Sequence, residues 1–226
     1  MRYVMSDIHG HLELFVSLME KIRFSRSDSL YICGDMIEKG PDSVKLLKVL
    51  SSFPNIHCIR GNHEEAFLDY YYSLMRQSED YGYVLSRLRE YLQGDGEMLD
   101  FELVDWLDAL PYYIEEKDFI CVHAGVTLDE NGRVAPLSDI PKGELLHSRQ
   151  FKRPEVLPKD SKCVFYGHTS SMSVYGDTKI REYRRNSFAE KSIKDYVKVH
   201  LDLGTFTSGA LGCFCIDTCE SFYIHS

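Results

Sequence analysis

The chain has 226 residues, of which 44% are hydrophobic and 27% charged, and its formal net charge is −9. This length supports a well-buried α/β domain, and no apolar run approaches membrane-spanning length. The acidic balance argues against a nucleic-acid backbone as the main partner, but it leaves room for a small anionic substrate, because bound cations reverse the local potential.

The opening residues, Met1 to Asp7, run directly into a motif. That leaves no room for a signal peptide and sets the expectation of a cytoplasmic protein. Tyr3–Ser6 reads as a short apolar strand. Leu12, Phe15, Leu18, Met19 and Ile22 recur at three- and four-residue spacing and predict a helix. Leu30–Cys33 is the next strand. Pro41-Asp42-Ser43 opens a second helix with Val44, Leu47 and Leu50 on one face, and Ile56–Ile59 is a third strand. This βαβαβ pattern implies parallel strands joined by right-handed crossovers.

Residues 64 to 110 change character. Phe67, Tyr70, Tyr71 and Leu74 predict one helix, and Tyr83, Val84, Leu88 and Tyr91 another. A turn at Gly94-Asp95-Gly96 separates these from a third, with Leu99, Leu103, Trp106, Leu107 and Leu110. The segment reads as a helical insert within a single domain over 1–226, since it lacks the composition of a linker. The tyrosines at 70, 71, 72, 81 and 83 are expected to serve helix packing. The second half predicts strands at Phe119–Val122, Lys162–Tyr166, Val197–Leu201, Leu211–Ile216 and Phe222–Ile224, the last two joined as a hairpin.

Six of the seven cysteines fall in apolar β-like segments, where free cysteine behaves as a small buried hydrophobe. Cys213, Cys215 and Cys219 have no second pair at zinc-site spacing. A reduced protein is the simpler account.

Five strand ends carry residues suited to metal or phosphate: Asp7-Ile8-His9-Gly10, Gly34-Asp35, Arg60-Gly61-Asn62-His63-Glu64, His123-Ala124-Gly125 and Gly167-His168-Thr169. Strand ends on one edge of an α/β sheet converge on one crevice. Asp7 and His9, two apart in an extended segment, reach the same side. Asp35 can bridge two cations, Asn62 offers an amide oxygen, and His123 and His168 offer imidazoles. Mixed oxygen and nitrogen donors suit manganese, iron or zinc better than magnesium or calcium. Two divalent ions, manganese foremost, would generate a bridging hydroxide for in-line attack on phosphorus. His63, beside Asn62, is the candidate general acid.

At these residues the chain resembles the serine/threonine protein phosphatase family, within the calcineurin-like metallophosphoesterases. Asp7-Ile8-His9-Gly10, Gly34-Asp35-Met36-Ile37-Glu38-Lys39-Gly40 and Gly61-Asn62-His63-Glu64 are similar to its three signature blocks, and the His123 and His168 segments to its two later histidine blocks. The short length resembles bacterial and bacteriophage members. The resemblance implies a two-sheet α/β metallophosphoesterase sandwich flanked by helices. It implies one metal on Asp7, His9 and Asp35, a second on Asp35, Asn62, His123 and His168, and His63 as proton donor.

One block departs from the family pattern Gly-Asp-x-x-Asp-Arg-Gly by carrying Glu38 and Lys39. Glu38 can still orient His63. Lys39 keeps the charge but loses the planar two-pronged donor, so retained activity with weaker phosphate binding is expected. Arg149, after Leu145-Leu146-His147-Ser148, is similar to an arginine of bacterial relatives and is a candidate second phosphate clamp, with an exposed surface arginine as the other reading. Asn62 joins these phosphate contacts. Arg60 is a further candidate, with structural ion pairing weighed equally. His11 is read as a helix start, and His57, His147 and His200 as structural, with Asp202-Leu203-Gly204 belonging to a strand end. The basic run from Lys179 to Lys198 could guide an acidic substrate.

The leading expectation is a phosphomonoesterase acting on phosphoserine or phosphothreonine in proteins, or on a small phosphoester. The alternative is a symmetrical dinucleoside tetraphosphate hydrolase with the same blocks. A second alternative is a catalytically weakened phosphoprotein-binding member.

Overall fold

The computed structural model describes residues 1–92, 96–159, 161–185 and 191–226. The chain builds two five-stranded sheets. The first has the order β10-β9-β1-β2-β3, with β1 Arg2–Met5, β2 Ser29–Ile32, β3 Ile56–Cys58, β9 Ala210–Cys215 and β10 Glu220–His225. The second runs β4-β5-β6-β8-β7, with β4 Tyr113–Glu115, β5 Phe119–Val122, β6 Cys163–Tyr166, β7 Arg181–Arg184 and β8 Tyr196–His200. The βαβαβ expectation holds: β1, β2 and β3 are parallel. So are β5, β6 and β8, while β9 and β10 form the expected hairpin.

Period-2 alternation sorts the side chains into layers. Val4, Tyr31, Cys33, Phe119, Cys121, Cys163, Phe165 and Phe214 face inward and form the layer between the sheets. Their neighbours Tyr3, Met5, Leu30 and Ile32 face the other way, against helices. On the second sheet Ile120, Val122, Val164 and Tyr166 pack with Leu145 and Phe151. Sheets buried on both faces need such near-continuous apolar strands.

Helices α1 (Leu12–Lys21) and α2 (Ser43–Ser52) cover the first sheet with Leu14, Phe15, Leu18, Val44 and Leu47. Helices α3 (Asn62–Gln77), α4 (Tyr81–Tyr91) and α5 (Phe101–Asp108) follow where helices were predicted, and their Phe67, Val84, Leu88, Leu103 and Leu107 enter the same cluster. Tyr70 stacks on Tyr91 at 5.2 Å, and Tyr71 and Tyr81 contact Phe101, so these rings serve helix packing. Positions 94 and 95 of the predicted turn lie outside the described residues. Short helices α6 (Lys142–His147), α7 (Ser171–Tyr175) and α8 (Thr205–Ser208) complete the chain. All seven cysteines are free and buried. No helix among the described residues is long and apolar enough to cross a membrane.

Two strands escape the sequence reading. β4 and β7 are the edge strands of the second sheet, only half-buried, and β7 reads Arg-Glu-Tyr-Arg. Edge strands carry charge to discourage further pairing, which erases the apolar signal.

Candidate metal and phosphate centre

The C-terminal ends of β1, β2, β3, β5 and β6 deliver the five segments to one place. The loops after β1 and β2 are tied together by three backbone bonds before any side chain acts. Asp7 N–H donates to Gly34 O at 3.1 Å, His9 N–H to Asp35 O at 3.0 Å, and Gly10 N–H to Met36 O at 2.7 Å. The Glu64 carboxylate, fully buried, then accepts from the N–H groups of Asp35 (2.9 Å), Met36 (2.7 Å), Ile37 (3.2 Å) and Gly61 (2.8 Å). Glu64 thus fixes the Asp35 loop to the start of α3, a role its place in the Gly-Asn-His-Glu block did not disclose.

These tight connections force unusual backbone. Among the described residues, eight non-glycine residues have positive φ, and Asp7, His9, Asp35, Glu38, Lys39 and His168 are six of them, with φ from 50° to 71°. Such strain is costly, and it concentrates at functional sites.

The donor atoms converge. His123 Nε2 lies 2.9 Å from Asn62 Oδ1 and 3.4 Å from Asp35 Oδ1. His168 Nδ1 lies 2.8 Å from Asn62 Oδ1 and 3.2 Å from His123 Nε2. On the other side, His9 Nε2 is 3.7 Å from Asp35 Oδ2 and 4.0 Å from Asp7 Oδ1. Asp35 therefore turns one oxygen to each group of imidazoles. The groups His9–Asp35–His63 and Asp35–His123–His168 each have ligand atoms within 4.8 Å of one another.

The outer nitrogens set the tautomers. His123 Nδ1–H donates to the Cys33 carbonyl at 2.8 Å and His9 Nδ1–H to the Ile37 carbonyl at 3.0 Å. Each Nε2 is thereby left with its lone pair facing the centre, the arrangement metal-ligating histidines use. Burial lowers the His9 imidazole to about 4 and that of His168 to about 3, and lowers His123 as well. All three are neutral, as ligation requires. Burial pushes Asp7 well up, reinforced by the charges of Asp202 and Asp35. Burial also opposes ionisation of Asp35, but the charges that His123, His9 and His63 carry once protonated at low pH outweigh it and bring it down to about 2. Buried carboxylates crowded by like charge beside neutral imidazoles are a donor set that divalent cations satisfy. These residues fit a metal centre.

His63 Nδ1 pairs with Glu38 Oε2 at 2.8 Å, and its Nε2 lies 3.8 Å from Asp35 Oδ2. Burial disfavours the imidazolium, but the hydrogen bond to Glu38 and the charge of Asp35 hold His63 above its usual value. The extra methylene of Glu38 is accommodated. Lys39 Nζ stands 3.0 Å from His9 Nε2. Lys39 and Arg149 line a cleft of about 350 Å³ together with Asp7, His9 and His168.

Arg60 is placed differently from a phosphate contact. Its guanidinium donates to Glu65 (3.0 Å), Tyr112 (3.1 Å) and Asp108 and covers the Tyr112 ring, so its charge is used in a structural network. The basic run does not act as one surface either. Arg181 pairs with Asp177, Lys191 with Glu182, and Lys198 is fully buried, donating to the carbonyls of Phe151 and Arg153. Arg185 and Lys194 border a cavity with Arg2 and Cys163, at the opposite ends of the strands from the centre.

Asp202, read as part of a strand end, is 5% exposed and lies on the cleft wall, and Phe206 of α8, which was not anticipated, is 54% exposed there. A lone carboxylate after a strand and a lone aromatic in a four-residue helix carry no spacing signal. His147, read as structural, places its ring 6.0 Å from that of His168.

Comparison with known proteins adds an independent line. The profile of the family described as calcineurin-like phosphoesterase matches residues 3–203. A symmetrical bis(5'-nucleosyl)-tetraphosphatase of Erwinia tasmaniensis is 32% identical over 129 residues, 55% of this chain and 44% of that protein. The protein of the same name from Proteus mirabilis is 26% identical over 182 residues, 77% of this chain and 57% of that one. The chain thus spans about half the length of the curated relatives it matches. Among solved structures, one provisionally described as a diadenosine tetraphosphatase superposes with a TM-score of 0.74 at 17% identity, covering 99% of this chain and 92% of that one. A serine/threonine phosphatase from Saccharomyces cerevisiae gives 0.55 at 14% identity, covering 100% and 79%. At these identities the structural likeness speaks to the fold.

Proposed function

This chain belongs to the calcineurin-like phosphoesterase family, and from that premise we propose that it is a divalent-metal-dependent hydrolase of nucleoside polyphosphates. The observation that carries the proposal is the convergence of Asp7, His9, Asp35, Asn62, His123 and His168 with their lone pairs turned to one centre. Divalent metals held by these residues would supply Lewis-acid charge to the phosphoryl oxygens and a water nucleophile effective near neutral pH. The mixed oxygen and nitrogen donor set suits manganese, iron or zinc better than magnesium or calcium. Asp35 serves both sides of the centre.

The chain's own side chains account for the remaining work. Lys39 and Arg149 bind and orient phosphate at the cleft. His63, held by Glu38, gives a proton to the leaving oxygen. For a symmetrical dinucleoside tetraphosphate, water adds across the central P–O–P linkage and two nucleoside diphosphates leave. The names of the curated relatives support this substrate class over phosphoproteins. The protein-phosphatase reading rests on the shared signature blocks, and it remains the competitor. The intact donor set and the His63–Glu38 pair weigh against a merely phosphoprotein-binding member.

A substrate panel with manganese tests the proposal, using diadenosine tetraphosphate, a phosphoserine peptide and 4-nitrophenyl phosphate, with Asp35→Asn as control. Turnover of the tetraphosphate to adenosine diphosphate alone, abolished in the control, is expected. Preferential turnover of the peptide would transfer the assignment to the protein-phosphatase reading. Inertness toward all three would sink the hydrolase.

A further inference from the structure

The cleft at the metal centre is not isolated. A second cavity, of about 800 Å³, lies between α1, the Pro41-Asp42 turn, α8 and the C-terminal strand, and Phe206 and Thr207 line both spaces. We propose that this second cavity is a nucleoside subsite, which takes the ribose and base of a nucleoside polyphosphate whose phosphates occupy the cleft. The proposal rests on the nucleotide reading above and specifies where that substrate's organic part goes.

The two spaces differ in charge. The cleft presents Lys39 and Arg149, the complement of phosphate, beside the buried Asp7 and Asp202. The cavity presents Glu13, and Asp42 paired with Lys45 at 2.8 Å. Carboxylates accept hydrogen bonds from ribose hydroxyls and repel phosphate, so the substrate is sorted end from end. At the shared wall the Phe206 ring is 54% exposed, an unusual cost for an aromatic unless a flat partner covers it.

A volume of about 800 Å³ is within the range that holds a small organic ligand.

The test compares kcat/KM for diadenosine tetraphosphate with that for inorganic tetraphosphate, which has no nucleoside. Phe206→Ala removes the ring, and Ser17→Trp fills the cavity from α1. Each is expected to lower the ratio about tenfold, on the scale of one lost base stack, with Phe206→Tyr restoring it. A ratio within twofold of wild type in both Phe206→Ala and Ser17→Trp, each folded by circular dichroism, would overturn the subsite. Should Phe206→Ala fail to fold, Ser17→Trp decides alone. Saturation-transfer NMR with free adenosine separates the subsite from the reaction. If the wild type cleaves no dinucleoside tetraphosphate, the functional reading fails. Adenosine signals that vanish in Ser17→Trp would still uphold the subsite, and no adenosine signal would remove it.

Discussion

In the proposed reaction, proton transfer turns on His63. Its Nδ1 is committed to Glu38 at 2.8 Å, and its Nε2 faces the centre. Replacement by Asn keeps a polar side chain but removes the acid. A general acid contributes about 10²–10⁴-fold, and that contribution matters most where the leaving oxygen is a poor one. His63→Asn should therefore lower kcat on a phosphoserine peptide or other alkyl phosphate by about 10²-fold or more, and on 4-nitrophenyl phosphate far less. Equal losses on both, measured under saturating manganese, would assign His63 to ligation or structure instead. The candidacy of His63 was legible from sequence because it sits beside Asn62 in a block with chemistry on both sides. Asp202 and Phe206 were not, because each is a single residue whose meaning comes only from what the fold sets beside it.

At the scale of loops and strands, close approach governs the centre. A Cβ at Gly167 would run into the Asp7 carboxylate and the Ser6 hydroxyl. One at Gly61 would strike Asp35 from the other side. Gly167→Ala must push Asp7 aside, an overpacking cost of about 1–3 kcal/mol. It should also weaken manganese binding about tenfold, as displaced ligands and their supports do. Calorimetric titration with the metal checks the second effect, and chemical denaturation of the metal-free protein checks the first. The parallel strands that create this crowding were readable from their apolar runs and from the helices between them. The order in which ten strands divide into two sheets was not, because register and partner are set by packing across the molecule. Edge strands β4 and β7, polar on their open side, left no pattern to read.

For the molecule as a whole, acid stability has an identifiable contributor outside the proposed ligand set. His200 is 3% exposed, stacks near Tyr166, and is lowered by burial to about 3. Its unfolded value is about 6.5, so between these two the unfolded chain binds the extra proton. Stability then rises with pH across that window and is lost on acidification. Relative to His200→Phe, the wild type should lose about 1.4 kcal/mol per pH unit below about 6.5. Urea unfolding of both proteins in chelator, where the other histidines contribute equally, would show it, and parallel pH curves would refute it. The buried cysteines extend this to kinetics. Because all seven thiols are shut inside apolar layers, an alkylating reagent meets them only when the layers part. The rate of thiol capture therefore reports opening of the sandwich. Saturating manganese should slow that capture by the factor through which it favours the closed form, about 100-fold at a hundred times its dissociation constant. The protein thus carries its own covalent gauge of how firmly metal welds its two halves.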